Sequence, residues 1–158
     1  MHSNQIFYTC DMTDRLEPIG FIKSSIKSRR KVARGNLKAQ VIVDPAYEKA
    51  LDGIESFSHL IIVFWLHKVK KSERLIMKVH PYRNPTLPLK GVFATRSPVR
   101  PNPIGLTVVK LVKRKANLLT VVGLDAIDGS PVLDIKPYLR EPFLNAEIAT
   151  PEWVNKKG

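Results

Sequence analysis

The sequence predicts a mainly β chain, a barrel of about seven or eight strands with one or two short helices. Three observations lead there. Short apolar runs recur along the chain, separated by turn-forming residues. Six of the twelve prolines (Pro81, Pro85, Pro88, Pro98, Pro101 and Pro103) lie between residues 81 and 103, where no regular helix survives their fixed φ and missing donors. No Gly-x-Gly-x-x-Gly follows a predicted strand and no Gly-Lys-Ser/Thr loop occurs, which argues against a Rossmann-type sheet and a P-loop nucleotidase. Many short strands avoid exposed edges most simply by closing into a barrel.

Taken in order, residues 1–15 are polar and aperiodic and read as a leader. Residues 16–145 read as the barrel domain and 146–158 as a C-terminal extension. Leu16 to Ser24 carries Ile19, Phe21 and Ile22 and predicts the first strand. Ser24 to Asn36 is nearly free of apolar residues and predicts an exposed loop. Leu37, Ala39, Val41 and Val43 alternate onto one face of a second strand. Asp44 followed by Pro45 starts a short helix, with Asp44 as its cap, that stops at Gly53. The run Ser58–His67 is so uniformly apolar and β-branched that it predicts a strand buried on both faces. Leu75–Val79 and Gly91–Thr95 predict short strands. Gly105–Val112 and Leu118–Leu124 predict two more, joined as a hairpin at 114–117, and Asp128-Gly129 turns the chain into Val132–Ile135.

A chain of 158 residues with 44% apolar content suits one folded domain with its own core. One cysteine excludes a disulfide framework and fits a reducing cytosol. The longest strongly apolar run, Leu60–Leu66, falls far short of the ~20 residues of a membrane span. No secretion signal opens the chain, so the expected location is cytoplasmic, with no membrane partner. The net charge is +12 and unevenly spread. Pro18 to Val43 holds seven basic residues (Lys23, Lys27, Arg29, Arg30, Lys31, Arg34 and Lys38) and no acid; Trp65 to Lys115 holds thirteen against Glu73 alone. Such segments suit a polyanion, most simply nucleic acid; a solvated lysine-rich surface is the competing reading.

The densest candidate for chemistry is residues 91–106, where prolines stiffen a loop carrying Arg96, Arg100 and Asn102, and Gly105 permits a close backbone approach. A stiff loop loses less entropy when its guanidinium groups engage an anionic or planar partner. A second cluster follows the last hairpin. Asp125 stands at a strand end where a carboxylate becomes partly desolvated, and Asp128 precedes Gly129 as a turn former. Asp134 and Lys136 sit on one strand face as an ion pair, and Tyr138 either stacks on a base or fills the core. His67 ends the apolar strand beside Lys68, Lys70 and Lys71 and opens onto a site mouth. No histidine pair has zinc-site spacing and Cys10 is isolated, so no metal is expected. No Gly-x-Ser-x-Gly elbow supports a hydrolase.

The string Gly-Val-Phe-Ala-Thr-Arg-Ser-Pro-Val-Arg-Pro-Asn-Pro-Ile-Gly-Leu, residues 91–106, strongly resembles the signature of the TrmO family, also called TsaA-like or YaeB-like. Pro18–Ser24 resembles its opening strand, Leu51–His67 its central segment and Leu124–Tyr138 its closing motif, in the family's order. The resemblance implies a dimeric β-barrel that uses S-adenosyl-L-methionine to methylate N6 of threonylcarbamoyl-adenosine 37 of tRNA, in the short single-domain form. It implies cofactor contacts at His67, Lys68, Arg96, Leu106, Val122, Gly123, Leu124 and Asp125. Arg34, Gly35 and Asn36 stand where the family has a Pro-Arg-Gln-like string of the cofactor pocket, which implies cofactor contacts there too, though they depart from that string. With the charge pattern, the resemblance assigns substrate contacts to Arg29, Arg30, Arg100, Asn102 and Lys136, and proton steering to Asp125 or Tyr138. A non-catalytic RNA-binding barrel and a methyltransferase of another substrate are the alternatives; binding of the methyl donor separates the first from an enzyme.

Overall fold

The computed structural model describes residues 15–29, 37–139 and 149–154. Among these residues are eight strands: β1 (Gly20–Lys23), β2 (Lys38–Val43), β3 (His59–Trp65), β4 (Lys78–Val79), β5 (Lys90–Gly91), β6 (Ile104–Lys115), β7 (Leu118–Val122) and β8 (Pro131–Pro137). Six of them close a barrel in the order β1-β2-β7-β6-β3-β8, and β4 pairs with β5 as a separate ribbon. The expected total of strands is therefore met, but the barrel itself uses six. Every pairing is antiparallel.

Alternation along each strand builds the core. Ile22, Ala39, Val41, Val43, Leu60, Ile62, Phe64, Val109, Leu119, Val121 and Val132 point inward and are buried together with Leu51, Leu124 and Ala126. β3 alternates as well: Leu60, Ile62 and Phe64 are buried, whereas Ile61, Val63 and Trp65 are half-exposed. The expectation of a strand covered on both faces is thus corrected. A closed barrel has one interior, and among the described residues no second layer seals the outside of β3.

Other departures are local. Gly91–Thr95 is not a strand; pairing stops at Gly91 and Val92–Ala94 forms a 3₁₀ turn. Leu75–Val79 contributes only Lys78 and Val79, because Lys71–Leu75 forms a 3₁₀ helix. β7 ends at Val122 rather than Leu124, since Gly123 takes φ +92° and breaks the ladder. The helix after Asp44 does form, over Pro45–Leu51, but in 3₁₀ geometry; Asp44 accepts a hydrogen bond from the Ala46 amide at 2.9 Å. Of the C-terminal extension, residues 149–154 are described. Trp153 packs edge-on against Tyr82, whose hydroxyl donates to the Val154 carbonyl. Residues 1–14 of the leader lie outside the described residues.

The barrel has two unlike ends. At one, Arg114 donates to the Leu51 and Glu48 carbonyls and pairs with Asp52 and Glu55, tying the β6–β7 hairpin to the 3₁₀ helix. The other end receives the C-termini of β1, β3 and β7 and the N-termini of β2, β6 and β8. The β3–β6 connection, residues 66–103, and the β7–β8 connection, residues 123–130, emerge here, whereas the β2–β3 connection with its 3₁₀ helix lies at the Arg114 end.

Gly105 is fixed by packing. A Cβ there would stand 2.5 Å from Cζ of the Phe64 ring, which is itself buried. Gly91, in contrast, has open space around its missing side chain and no positive φ. Gly105→Ala is expected to lower stability by about 2 kcal/mol through overpacking, while Gly91→Ala stays within about 0.5 kcal/mol of the parent. Urea denaturation of the two variants checks both.

Candidate functional site at the open barrel end

The open end gathers side chains from four segments. β6 enters it with Thr107 facing inward, in the same phase as Gly105 and Val109. The Thr107 hydroxyl donates to Oδ1 of Asp125 at 2.5 Å, in the segment that leaves β7. Asp125 is half-buried, and its second oxygen has no hydrogen-bond partner among the described residues. Gly123 is exposed and its left-handed φ lets the chain turn from the ladder toward the mouth. Val122 is half-buried on the outer phase of β7, and Leu106 is 65% exposed on the outer phase of β6. Both present apolar surface on the outside of the barrel, on the strands that lead to the mouth.

His67 follows β3 at the same end. Its Nδ1 lies 3.2 Å from the Ser130 hydroxyl, in the turn before β8. Burial, and then the neighbouring Lys68 charge, push the imidazole below its ordinary range, so His67 is neutral at pH 7. Ser130 is the one buried polar side chain among the described residues. Its burial follows from the Asp128-Gly129 turn, where Gly129 takes φ +75°. The Ser130 amide donates to the Ile127 carbonyl and its own carbonyl accepts from Ile22.

The proline loop is stitched from within. The Thr95 hydroxyl donates to the Val92 carbonyl, the Ser97 amide to Thr95 Oγ1, and the Val99 amide to Ser97 Oγ. Arg100 turns back into the loop, donating from Nε to the Ser97 carbonyl and from Nη2 to the Thr95 carbonyl, both at 2.9 Å. Arg100, expected to reach substrate, is instead the loop's own clamp. Arg96 and Asn102 are exposed, and the Arg96 guanidinium has no partner among the described residues. The loop therefore offers one cation where two were expected.

Other expected residues are placed elsewhere. Arg29 is engaged: its Nη1 donates to both Glu73 oxygens at 2.8 Å, and to the Lys68 carbonyl at 3.4 Å. Tyr138 donates its amide to the His59 carbonyl, and Lys136 pairs across to Ile61 while its ammonium contacts Asp134 at 2.8 Å. Both lie toward the end of β8 remote from Asp125. Within the chain, Tyr138 and Asp125 do not form one site, because β8 leaves the mouth before reaching Tyr138. Leu124 is buried in the core, so only its backbone can meet a ligand. Lys68 is exposed at the mouth. Arg30, Arg34, Gly35 and Asn36 lie outside the described residues.

Sequence reasoning missed Thr107, Ser130 and Glu73. Thr107 carried a signal, since a hydroxyl stands in the inward phase of an apolar strand; nothing in the sequence around Ser130 marks it beyond its place after the Asp128-Gly129 turn. Glu73 was visible only as an isolated acid. It accepts from the Lys70 amide at 2.8 Å as well as from Arg29, and these bonds, Arg29's foremost, hold its carboxyl below the usual range.

The lowered Glu73 carboxyl stabilises the fold fully above the unfolded-state value of about 4.3, and this contribution disappears as pH falls through the folded-state value. Glu73→Gln should therefore cost about 1 kcal/mol at pH 7, with the gap to the parent closing toward pH 3. Chemical denaturation across that pH range measures it.

Residues 21–142 match the sequence profile of a family described as the tRNA-methyltransferase O N-terminal domain. A probable S-adenosyl-L-methionine-binding protein of Methanothermobacter thermautotrophicus is 42% identical over 135 residues, covering 83% of this chain and 94% of the relative. An S-adenosyl-L-methionine-binding protein of Archaeoglobus fulgidus is 38% identical, covering 80% and 90%. Among solved structures, the crystal structure of TrmO from Pseudomonas aeruginosa superposes with a TM-score of 0.65 at 33% identity. That match covers 89% of this chain but only 62% of the crystallised protein.

Proposed function

This chain belongs to the tRNA-methyltransferase O family, and on that premise we propose that it is an S-adenosyl-L-methionine-dependent methyltransferase acting on N6 of threonylcarbamoyl-adenosine 37 of tRNA. The observation that carries the reading is the Asp125 carboxylate at the barrel mouth. One of its oxygens is held by Thr107, and the adjoining strands β6 and β7 carry apolar Leu106 and Val122 on their outer faces. These groups fit the methyl donor. The carboxylate accepts hydrogen bonds from ribose hydroxyls or an amino group, the apolar residues cover a purine ring, and the unpartnered Arg96 suits a carboxylate.

When bound, the donor supplies an electrophilic methyl group on a sulfonium. The chain's residues then align and shield. Thr107 fixes the rotamer of Asp125, so the carboxylate is aimed before any ligand arrives. The hydrogen bonds of Arg100 hold the 92–100 loop in shape, and Arg96 is presented on that loop. His67, kept neutral by burial, adds no charge beside a cationic sulfonium. The N6 nitrogen must lose a proton at some stage, and the free oxygen of Asp125 is the acceptor available at the mouth. Catalysis in such a site rests mainly on orientation and exclusion of water.

Nucleoside mass analysis of tRNA incubated with the protein and S-adenosyl-L-methionine tests the reading; the expected product carries one added methyl on the modified adenosine. Asp125→Asn should weaken donor binding about tenfold or more, the scale of a lost charge-assisted hydrogen bond, and abolish most product. Arg96→Ala should weaken donor binding with the fold unchanged. Calorimetry showing no association of the parent protein with the donor would leave the non-catalytic RNA-binding reading.

On the same premise we infer that the chain works as a homodimer. Leu75 and Phe93 are 78% and 80% exposed, and Met77 and Leu89 are also exposed, all flanking the β4–β5 ribbon. Apolar surface of this kind marks a contact site. Light scattering should give twice the chain mass, and Phe93→Glu with Leu75→Glu should shift it toward the monomer.

A further inference from the structure

The outer face of the sheet β1-β2-β7-β6 is a lattice of lysines without an acid. Strand register sets the rows. Lys23 stands opposite Gln40, Gln40 opposite Thr120 and Thr120 opposite Lys113. In the next row Lys38 stands opposite Val122, and Val122 opposite Lys110. In the third, Phe21 faces Ile42, Ile42 faces Leu118 and Leu118 faces Lys115. These four strands contain no Asp or Glu, and the five lysines are exposed and make no ion pair among the described residues. A face shaped for solubility alone mixes both signs.

Neighbouring strands lie about 4.8 Å apart, so Lys38 and Lys110 are separated by roughly 10 Å and Lys23 and Lys113 by roughly 14 Å at the backbone. Between them stand Gln40 and Thr120, neutral groups able to donate to phosphate or ribose oxygens. At the β1 end, Phe21 presents an aromatic ring that is 53% exposed. One side of the lattice deepens into an open cleft of about 730 Å³ lined by Lys23, Ser24, Lys27, Lys38, Gln40 and Thr120 among others. The acid among its lining residues, Asp128, is already held by Lys27 at 2.7 Å. Val122, in the row at the mouth end of the lattice, leads directly through Gly123 to Asp125.

We propose that this face is the track for a single-stranded RNA segment, with Lys23, Lys38, Lys110 and Lys113 on its phosphates and Phe21 stacked on a base, so that the adjoining nucleotide is delivered to the mouth beside Asp125. Cations that follow a backbone together with an exposed aromatic are the recurring chemistry of single-strand binding. The inference deepens the proposed function and rests on RNA being the substrate. It assigns binding to lysines on an outer sheet face, not to the arginines of the proline loop.

The test is fluorescence anisotropy of a labelled tRNA with the full chain across a salt series, alongside calorimetry with S-adenosyl-L-methionine. Lys38→Ala/Lys113→Ala should raise Kd at least tenfold near 0.1 M salt and reduce the log–log salt slope by roughly 1.4, about 0.7 for each single-strand phosphate that is no longer neutralised. Donor affinity should be unchanged. Phe21→Ala should weaken binding severalfold with no change in slope, as the removal of a stacking partner requires. The charge-matched control Lys49→Ala/Lys78→Ala, on other surfaces, should bind as the parent does. If the lattice variant binds tRNA within twofold of the parent at the same slope, the track is wrong, while methylation by the parent would leave the function standing. If the lattice variant instead loses binding to anionic phospholipid vesicles and keeps tRNA, the face belongs to a membrane surface and the proposal falls. A parent protein that neither binds nor methylates tRNA removes the function and the track together.

Discussion

The site depends on the double pairing of β6. Its first seven residues, Ile104–Lys110, pair with β3, and Lys110–Lys115 pair with β7. One strand of twelve residues thereby joins two parts of the sheet, which the β1–β8 pairing closes into the barrel. A register shift between Leu111 and Lys113 bends the ladder where β6 passes along β7, as a bulge does. Closure removes the unpaired edges that β1 and β8 would otherwise present. It also fixes the phase of β6, turning Thr107 inward toward Asp125 and leaving Leu106 outside. A slip of one residue would exchange those faces.

From that frame the polar groups acquire separate tasks. Asp125 and His67 are each oriented by a hydroxyl, from Thr107 and Ser130, and both hydroxyls belong to residues held by the barrel rather than by flexible loops. Arg100, Arg29 and Arg114 are committed to structure: one clamps the proline loop, one binds Glu73 and Lys68, and one ties the hairpin to the 3₁₀ helix. Among the described residues, the cations left for a ligand include Arg96 and Lys68 at the mouth and the lysines of the outer sheet. Guanidinium groups with five donors suit carbonyl-rich loops and carboxylates. Lysines, as mobile point charges, suit a phosphate backbone whose position varies along the chain.

The division also explains why charge alone said little about where a partner binds. The basic segment from Trp65 to Lys115 contains Arg74, stacked over the Trp65 ring at 5.2 Å, as well as Arg100 and Arg114. None of these three is free. The uncommitted lysines of β6 lie on the same segment but gain meaning only beside β2 and β1, about seventy to ninety residues earlier in the chain.

By itself the sequence determined the β character, six of the eight strands to within a few residues, the Asp44 cap and the Gly53 stop, and the family to which the 91–106 string belongs. These are local properties: alternation, capping and turn chemistry act over a few residues and are written in adjacent letters. Tertiary structure decided what required partners far along the chain. It reduced the barrel to six strands, left the outer face of β3 half-exposed, and separated Tyr138 and Lys136 from Asp125. It drew Arg100 and Arg29 into the scaffold and supplied Thr107 and Ser130 as orienting groups. A side chain's hydrogen-bond capacity is taken up by whatever the closed register brings within about 3 Å, and that register exists only once the sheet has closed.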